Sequence, residues 1–406
     1  MNEKTSWPAS NDTSKHKVTV ADNFALKSLT IKERVLRYKA HLRPLEGAFC
    51  ILFIFMLLAS LVVYSAVPNA AVTGSASVSF FRSHSDLDFS ASFVGDIMMG
   101  RNVQNAAGFY GYDSFFKYVS GFFAECDLVA GNFEHPILEK GQKYDINKTN
   151  IALSADKGCL PAIKNAGFNL LTLANNHMMD YGERALQSTV ECLNQAEIPY
   201  VGGGMSLEEA TKLNIMETKR TKLKVATVGI SASLPIGSFR FSATDKFPGV
   251  LSINTPDYIK TIEKAAEVAD LVIVLAHWGD EYTTMLTKTQ NRIGKELIDA
   301  GADIVIGSHP HVIQPIEFYK DGIIFYSLGN FIMDQGWNRT KDSCIVRFAL
   351  STHGEKVFEV IPLRINSATP AETQNAISVN RTFNTMTKNL KNKDFRIESG
   401  RLYIYL

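Results

Sequence analysis

Cysteine is scarce in this chain and poorly spaced for any framework. Cys50, Cys126, Cys159, Cys192 and Cys344 are spread over 406 positions, and no two stand in C-x-x-C spacing. In a chain with so much apolar material, that scatter argues against a disulfide framework and leaves most of them as buried small hydrophobes. A surplus of one charge is missing too. Lys and Arg total 42 against 41 Asp and Glu, a net charge of +1, so nothing marks a nucleic-acid partner. Low-complexity tracts and solenoid periods are absent. What remains is 46% apolar and 20% charged, ample for a core. The length allows one large domain with appendages, or two domains.

Long uncharged runs are also missing, with one exception. Residues 48–67, from Ala48 to Val67, contain no charge. A helix of that length spans roughly 30 Å, the hydrocarbon thickness of a bilayer. Residues 1–47 hold nine Lys/Arg against five Asp/Glu, with Arg34, Arg37, Lys39 and Arg43 just before the run. Arg82 is the first basic residue after it. The positive-inside rule therefore predicts a single-pass protein of the cell membrane, with a cytoplasmic basic tail at 1–47 and an extracytoplasmic main domain. The long leading segment and the lack of an Ala-x-Ala site favour an uncleaved anchor. Residues 68–86 read as a tether, 87–366 as the folded domain, and 367–406 as a polar C-terminal extension. Arg401–Leu406 within that extension reads as an edge strand or docking segment.

Inside the domain, strand-like and helix-like runs alternate. Strands are predicted at Phe89–Val94, Asp127–Ala130, Asn169–Leu173, Leu223–Val228, Leu271–Leu275, Ile304–Ile306 and Gly322–Leu328. Amphipathic stretches at Arg184–Ala196 and Gln290–Ala300 lie between them. Continuously apolar strands separated by helices predict an α/β architecture with its strands covered on both faces.

Five of these strands end in residues that bind metals. Asp96 follows the first, and Asn132, Glu134 and His135 the second. Asn175, Asn176 and His177 follow the third, with Asp180 in reach. His277, Asp280 and Glu281 follow a fourth, and His309 and His311 a fifth. Taken singly, each has an ordinary structural role: Asp96 as a helix cap, Asn175 and Asn176 as turn residues, His277 as a satisfied imidazole. Taken together, they point to one shared site, because loops at the carboxyl ends of strands line the crevice of an open α/β sheet. Mixed imidazole, amide and carboxylate donors suit one or two divalent ions such as Mn, Zn or Fe. A pair of such ions supports hydrolysis or transfer at a phosphoryl or acyl centre.

The ordered series Val94–Gly100, Asn132–Phe133–Glu134, Asn175–Gly182, His277–Tyr282, Gly307–His311 and Tyr326–Phe331 resembles the CapA-type poly-γ-glutamate capsule biosynthesis proteins. The resemblance implies a membrane-anchored bacterial protein with an extracytoplasmic domain related to calcineurin-like metallophosphoesterases. The implied fold is a four-layer α/β/β/α sandwich over about residues 88–366, preceded by a single transmembrane helix. It implies metal ligands at Asp96, Glu134, Asn176, His277, His309 and His311, with Glu134 near the bridging position. It also implies catalytic roles for Asp96 and for His177, the candidate general acid. One departure stands out. The phosphoesterase motif Asp-x-His here reads Asp96-Ile97-Met98, and a thioether is a poor ligand for hard cations. Either Asp280, Glu281 or His135 compensates, or the site holds one ion.

Three functions stay open. The first is a membrane-anchored component of poly-γ-glutamate or similar polymer synthesis or export, with a metal-dependent hydrolase or transferase site. Its partners would be the membrane, a polymer-synthase complex and an anionic polymer or phosphoester substrate. The second is an extracytoplasmic metallophosphoesterase unrelated to capsule. The third is a non-catalytic assembly subunit of a synthase complex. Trp278 and Tyr282 either line a groove or simply pack.

Overall fold

The computed structural model describes residues 86–144, 151–234 and 241–406. The uncharged run at 48–67, its basic tail and its tether up to residue 85 lie outside the described residues. Among the described residues, no helix is long and apolar enough to cross a membrane.

All seven predicted strand runs form strands. The chain runs β1 (Leu87–Ile97), α1 (Arg101–Tyr110), β2 (Leu128–Phe133), α2 (Leu160–Asn165), β3 (Leu170–Thr172), α3 (Gly182–Gln195) and β4 (Tyr200–Val201). It continues through β5 (Gly203–Gly204), α4 (Leu207–Ala210), β6 (Asn214–Glu217), β7 (Lys224–Ser231) and β8 (Gly249–Val250). Next come α5 (Asp257–Val268), β9 (Leu271–His277), α6 (Lys288–Asp299), β10 (Ile304–Ser308), β11 (Ile316–Tyr319), β12 (Gly322–Phe325) and β13 (Asn330–Ile332). The last part is β14 (Asp342–Ser351), β15 (Lys356–Asn366), β16 (Thr369–Glu372), α7 (Ala376–Met386), β17 (Phe395–Glu398) and β18 (Arg401–Tyr405).

These strands form a mixed α/β fold with two large sheets. The first has the order β17-β18-β15-β14-β1-β2-β3-β4, with β13 beside β1 and β16 beside β15. The second is β11-β12-β10-β9-β7-β6. Strands β1 to β4 run parallel in one sheet, and β7, β9, β10 and β12 run parallel in the other. Alternation along each strand divides its side chains between two cores. Phe89, Ala91 and Phe93 of β1 share a core with Leu271, Ile273 and Leu275 of β9 and Ile304 and Ile306 of β10, so the sheets pack on each other. On the other face of the first sheet, Ile97, Val129, Phe133 and Leu171 meet Val103 of α1, Ile163 of α2 and Leu186 and Leu193 of α3. On the other face of the second, Val272, Val274, Val305 and Ile324 meet Ile262 of α5 and Ile293 and Leu297 of α6. Burial on both faces is why these strands read as unbroken apolar runs. Helix α6 starts two residues before the amphipathic stretch read at Gln290–Ala300, at a capping box in which Thr287 and Gln290 exchange side-chain-to-backbone bonds.

Residues 367–406 are not an extension of this fold but part of it. Strand β18 pairs with β15, and Leu402, Ile404, Val379, Phe383 and Met386 enter the core between the sheets. The polar average of this segment hides a stripe at Val379, Phe383 and Met386, spaced for one helix face. Some of its charges are used internally. Buried Glu359 of β15 takes Arg347 of β14 at 3.1 Å and Arg401 of β18 at 2.8 Å, and Arg401 also holds Glu372 at 2.8 Å. Removing one member of such a buried network strands the others without a partner.

Strand β1 changes partner halfway along. Up to Phe93 it pairs antiparallel with β14, and from Asp96 it pairs parallel with β13. Its ladder with β2 also skips register between Phe93 and Asp96. At this bulge the Asp96 N–H donates to the Gly329 carbonyl at 3.1 Å. A Cβ on Gly95 would lie 1.7 Å from that carbonyl oxygen, so only glycine fits. Gly95→Ala is therefore expected to destabilise the domain by about 3 kcal/mol or more, read as a lowered denaturant midpoint.

At the other end of β1, Asp88 accepts the backbone N–H groups of Arg220 at 2.6 Å and Thr221 at 3.0 Å. Burial pushes its carboxyl up, but these bonds and those from the Thr221 and Thr218 side chains outweigh it. They hold it at about 2, below the ordinary 3.8. A depressed folded-state pKa contributes stability above the unfolded value and loses it as pH falls. About 2 kcal/mol should thus be present above roughly pH 4 and disappear toward pH 2. Thermal melts across that range should show this loss in the wild type, and Asp88→Asn should lack it.

Candidate metal centre

The donors collect where the parallel strands of both sheets end. Asp96 stands at the end of β1, and Glu134 directly follows β2. Asn176 and His177 lie in the loop between β3 and α3, His277 closes β9, and His309 and His311 follow β10. All seven are buried, and Asp96 and Glu134 are wholly inaccessible. The His-Pro-His turn is bent hard to do this: φ is +96° at His309 and +57° at His311, in the left-handed region that side chains avoid.

Two overlapping groups have ligand atoms lying within 4.8 Å of one another: Asp96, Glu134 and His311, and Glu134, His277 and His309. Glu134 belongs to both. The Nε2 of His277 lies 3.7 Å from Glu134 Oε1 and 2.9 Å from the Asn176 amide oxygen, which brings Asn176 to the second group. The other ring nitrogen, Nδ1, sits 3.2 Å from Ser308 Oγ and 3.1 Å from Asn132 Nδ2. Asn132 donates to Asp96 Oδ1 at 2.8 Å and accepts from Asn175 at 3.1 Å. His311 Nδ1 lies 3.0 Å from Asp96 Oδ2 and 2.9 Å from Asn330 Oδ1, while Nε2 lies 3.9 Å from Glu134. Such outer contacts fix which nitrogen faces the centre.

The donor set fits a divalent cation on its chemistry. Two fully buried carboxylates require compensating positive charge. Burial pushes the His311 imidazole down, yet Glu134 and Asp96 overcome this and raise it to about 9. The cavity thus attracts positive charge strongly enough to hold a proton on a buried histidine. Two carboxylates, three imidazoles and an amide oxygen are ligands for Mn, Zn or Fe.

His177 sits beside the cluster, joined to a buried partner: its Nδ1 lies 2.6 Å from Asp180 Oδ2, which also accepts the Leu153 N–H at 2.8 Å. Met98 is core. Its sulfur accepts the Gly100 N–H at 3.2 Å, and the side chain is wholly buried. None of the three residues weighed as its replacement joins the groups. Asp280 and Glu281 are exposed. His135 packs on Phe133 at 4.2 Å, with Nδ1 against the Pro136 carbonyl, and burial pushes it down to about 4. Glu134, by contrast, belongs to both groups. Trp278 packs, its Nε1 donating to the Tyr326 carbonyl at 2.8 Å, whereas Tyr282 stands at the rim. Asn330, which the Tyr326–Phe331 motif contains without a role of its own, is the partner of His311.

Fold and site together define an α/β protein with a buried carboxylate–imidazole cluster at its strand ends, of the kind that holds divalent cations. A family model described as bacterial capsule synthesis protein PGA_cap matches residues 90–335, and the chain belongs to that family. The capsule biosynthesis protein CapA of Bacillus anthracis is 42% identical over 302 residues, covering 73% of this chain and 72% of that protein. The PGA biosynthesis protein CapA of Bacillus subtilis (strain 168) is 39% identical over 348 residues, covering 84% and 90%. A relative from Mycobacterium tuberculosis (strain ATCC 25618 / H37Rv), named a probable polyglutamine synthesis accessory protein, is 29% identical over 215 residues, 51% of this chain and 56% of that one. A 5'-nucleotidase structure from Candida albicans SC5314 superposes with a TM-score of 0.40 at 12% identity, covering 76% of this chain and 56% of that chain, a likeness too distant to carry an argument.

If Glu134 bridges two ions, Glu134→Ala should empty both positions. His277→Ala and His311→Ala should each empty one. Elemental analysis of the purified full chain reads this directly, and full metal content in Glu134→Ala would refute the shared position.

Proposed function

We propose that this chain is a membrane-anchored component of poly-γ-glutamate synthesis or export at the cell surface, with a metal-dependent hydrolase or transferase site. The polymer comes from the relatives named for capsule and PGA biosynthesis. Anchoring rests on the uncharged run at 48–67 and the basic residues before it. The fold we assign is the four-layer α/β/β/α sandwich of metallophosphoesterases, supported by three cores that separate two helical layers from two sheets. The observation that carries the catalytic reading is Glu134, shared between two buried donor groups.

Asp96 and His311 would hold one divalent ion, His277, His309 and Asn176 the other, and Glu134 both. Bound there, the ions supply Lewis acidity and lower the pKa of water at neutral pH. Around them, the protein's own residues orient and exclude. Asn132 and Ser308 fix the ring of His277, and Asn330 fixes that of His311. The buried walls keep bulk water away, which strengthens every charge interaction inside. His177 is the proton donor to the leaving group. With its Nδ1–H given to Asp180, Nε2 is the nitrogen that exchanges a proton with substrate. The bond broken or transferred is a γ-amide or a phosphoester.

A second reading, an assembly subunit whose site binds without turnover, is favoured by the word accessory in the name of the mycobacterial relative. His177→Ala separates the two. The catalytic reading expects polymer output from cells to fall about a hundredfold or more, with metal content unchanged. Undiminished output would leave the assembly reading standing.

A further inference from the structure

The mouth of the donor cluster is built from three segments that hold one another rigidly. The loop between β9 and α6 carries Tyr282, whose N–H donates to the Pro310 carbonyl inside the His-Pro-His turn at 2.8 Å. Buried Gln314 holds the Thr283 carbonyl at 3.0 Å, pinning the same loop. The Tyr282 ring lies over His311 with centroids 5.9 Å apart and meets Trp337 edge-on at 4.7 Å. Its hydroxyl accepts from Gln335 at 3.2 Å, and Gln335 is in turn held by Asn330, the partner of His311. The third segment is the start of α1. There Arg101 pairs with Asp334, next in chain to Gln335. Both Tyr282 and Arg101 have positive φ, +63° and +50°, strain that a well-determined surrounding must hold.

This rim is unusual for what it exposes. Trp337 is 59% exposed and Tyr282 39%, two flat aromatic faces beside a polar cluster. The Arg101 side chain is 37% exposed while that of Asp334 is 11%, so the cation faces outward and its carboxylate partner sits beneath it. The charge of Arg101 also reaches Tyr282: burial, Glu281 and Glu134 push the phenol up to about 12, and Arg101 pulls against them. A guanidinium anchored on one edge keeps donors for a second, bidentate partner, for which carboxylate and phosphate are the matching shapes. Aromatic faces beside it take the methylene and amide surface of a chain.

We propose that Arg101, Tyr282 and Trp337 form an anion subsite that seats a carboxylate of the γ-glutamyl chain next to the reacting bond. This deepens the polymer reading above and rests on it. Arg101 and Trp337 act as specificity residues, binding chain beside the cluster without touching the ions.

The test uses the full chain and its own fluorescence. Its tryptophans are Trp7, Trp278 and Trp337; Trp278 is buried, and Trp337 sits in the subsite. Titration with a γ-linked glutamate oligomer should give a saturable change that Trp337→Phe removes. Arg101→Gln should weaken binding about tenfold, the loss of one charge-assisted contact, and Arg101→Lys should restore part of it. Metal content should stay at the wild-type value in all three variants. Equal affinity in Arg101→Gln and wild type would overturn the subsite while leaving the polymer reading intact. If inorganic polyphosphate binds in an Arg101-dependent way and the γ-glutamate oligomer does not, the carboxylate assignment and the polymer reading both fall. Binding of neither probe overturns the subsite outright.

Discussion

The close approach of two backbones at Gly95 and Gly329 is the constraint on which the rest of this structure depends. It occurs where β1 leaves β14 for β13, and the Asp96 N–H to Gly329 carbonyl bond closes the gap. From that point Asp96 is aimed at the His-Pro-His turn. The next residue after Gly329, Asn330, both continues β13 and holds His311. A single side chain at position 95 would part the strands and move the first carboxylate away from its imidazoles. The sheet and the donor cluster are therefore one mechanical object.

Electrostatics and strain then work in the same direction. Glu134 and Asp96 are buried without exposure, a costly placement that is tolerable only if positive charge answers it. The raised His311 shows how strongly the cavity seeks that charge. Left-handed backbone at His309, His311, Tyr282 and Arg101 accounts for four of the ten positive-φ non-glycine residues among those described. Strain gathered at one end of a fold marks a place where geometry is held against local preference. Here the holding is done by the packed ends of β1, β2, β9 and β10, and by a chain of amide contacts through Asn132, Asn175, Asn330 and Gln335.

Much of the architecture was legible because both sheets are covered. A strand buried on two faces must be apolar along its whole length, and all seven such runs became strands. Two helices, α3 and α6, announced themselves by period as amphipathic stretches. Of the C-terminal forty residues, only the strand at Arg401–Leu406 was legible in this way. Two of their charges, Arg401 and Arg381, are spent on Glu359 and Asp342, partners far apart in sequence, and an average of composition treats an internally paired Arg401 as a solvated one.

The sequence by itself determined which strands are buried and what chemistry stands at their ends, since periodicity and residue type are local properties. It also carried the ordered motifs that mark the family. The resemblance put Glu134 near the bridging position, but only the tertiary structure decided that it belongs to both donor groups, that Met98 turns into the core, and that Asp280 and Glu281 stay outside. It alone brought Arg101 to the rim beside Tyr282 and Trp337. Those outcomes depend on distances between segments separated by tens to hundreds of residues, set by sheet register and by the bulge at Gly95, and no local pattern encodes them.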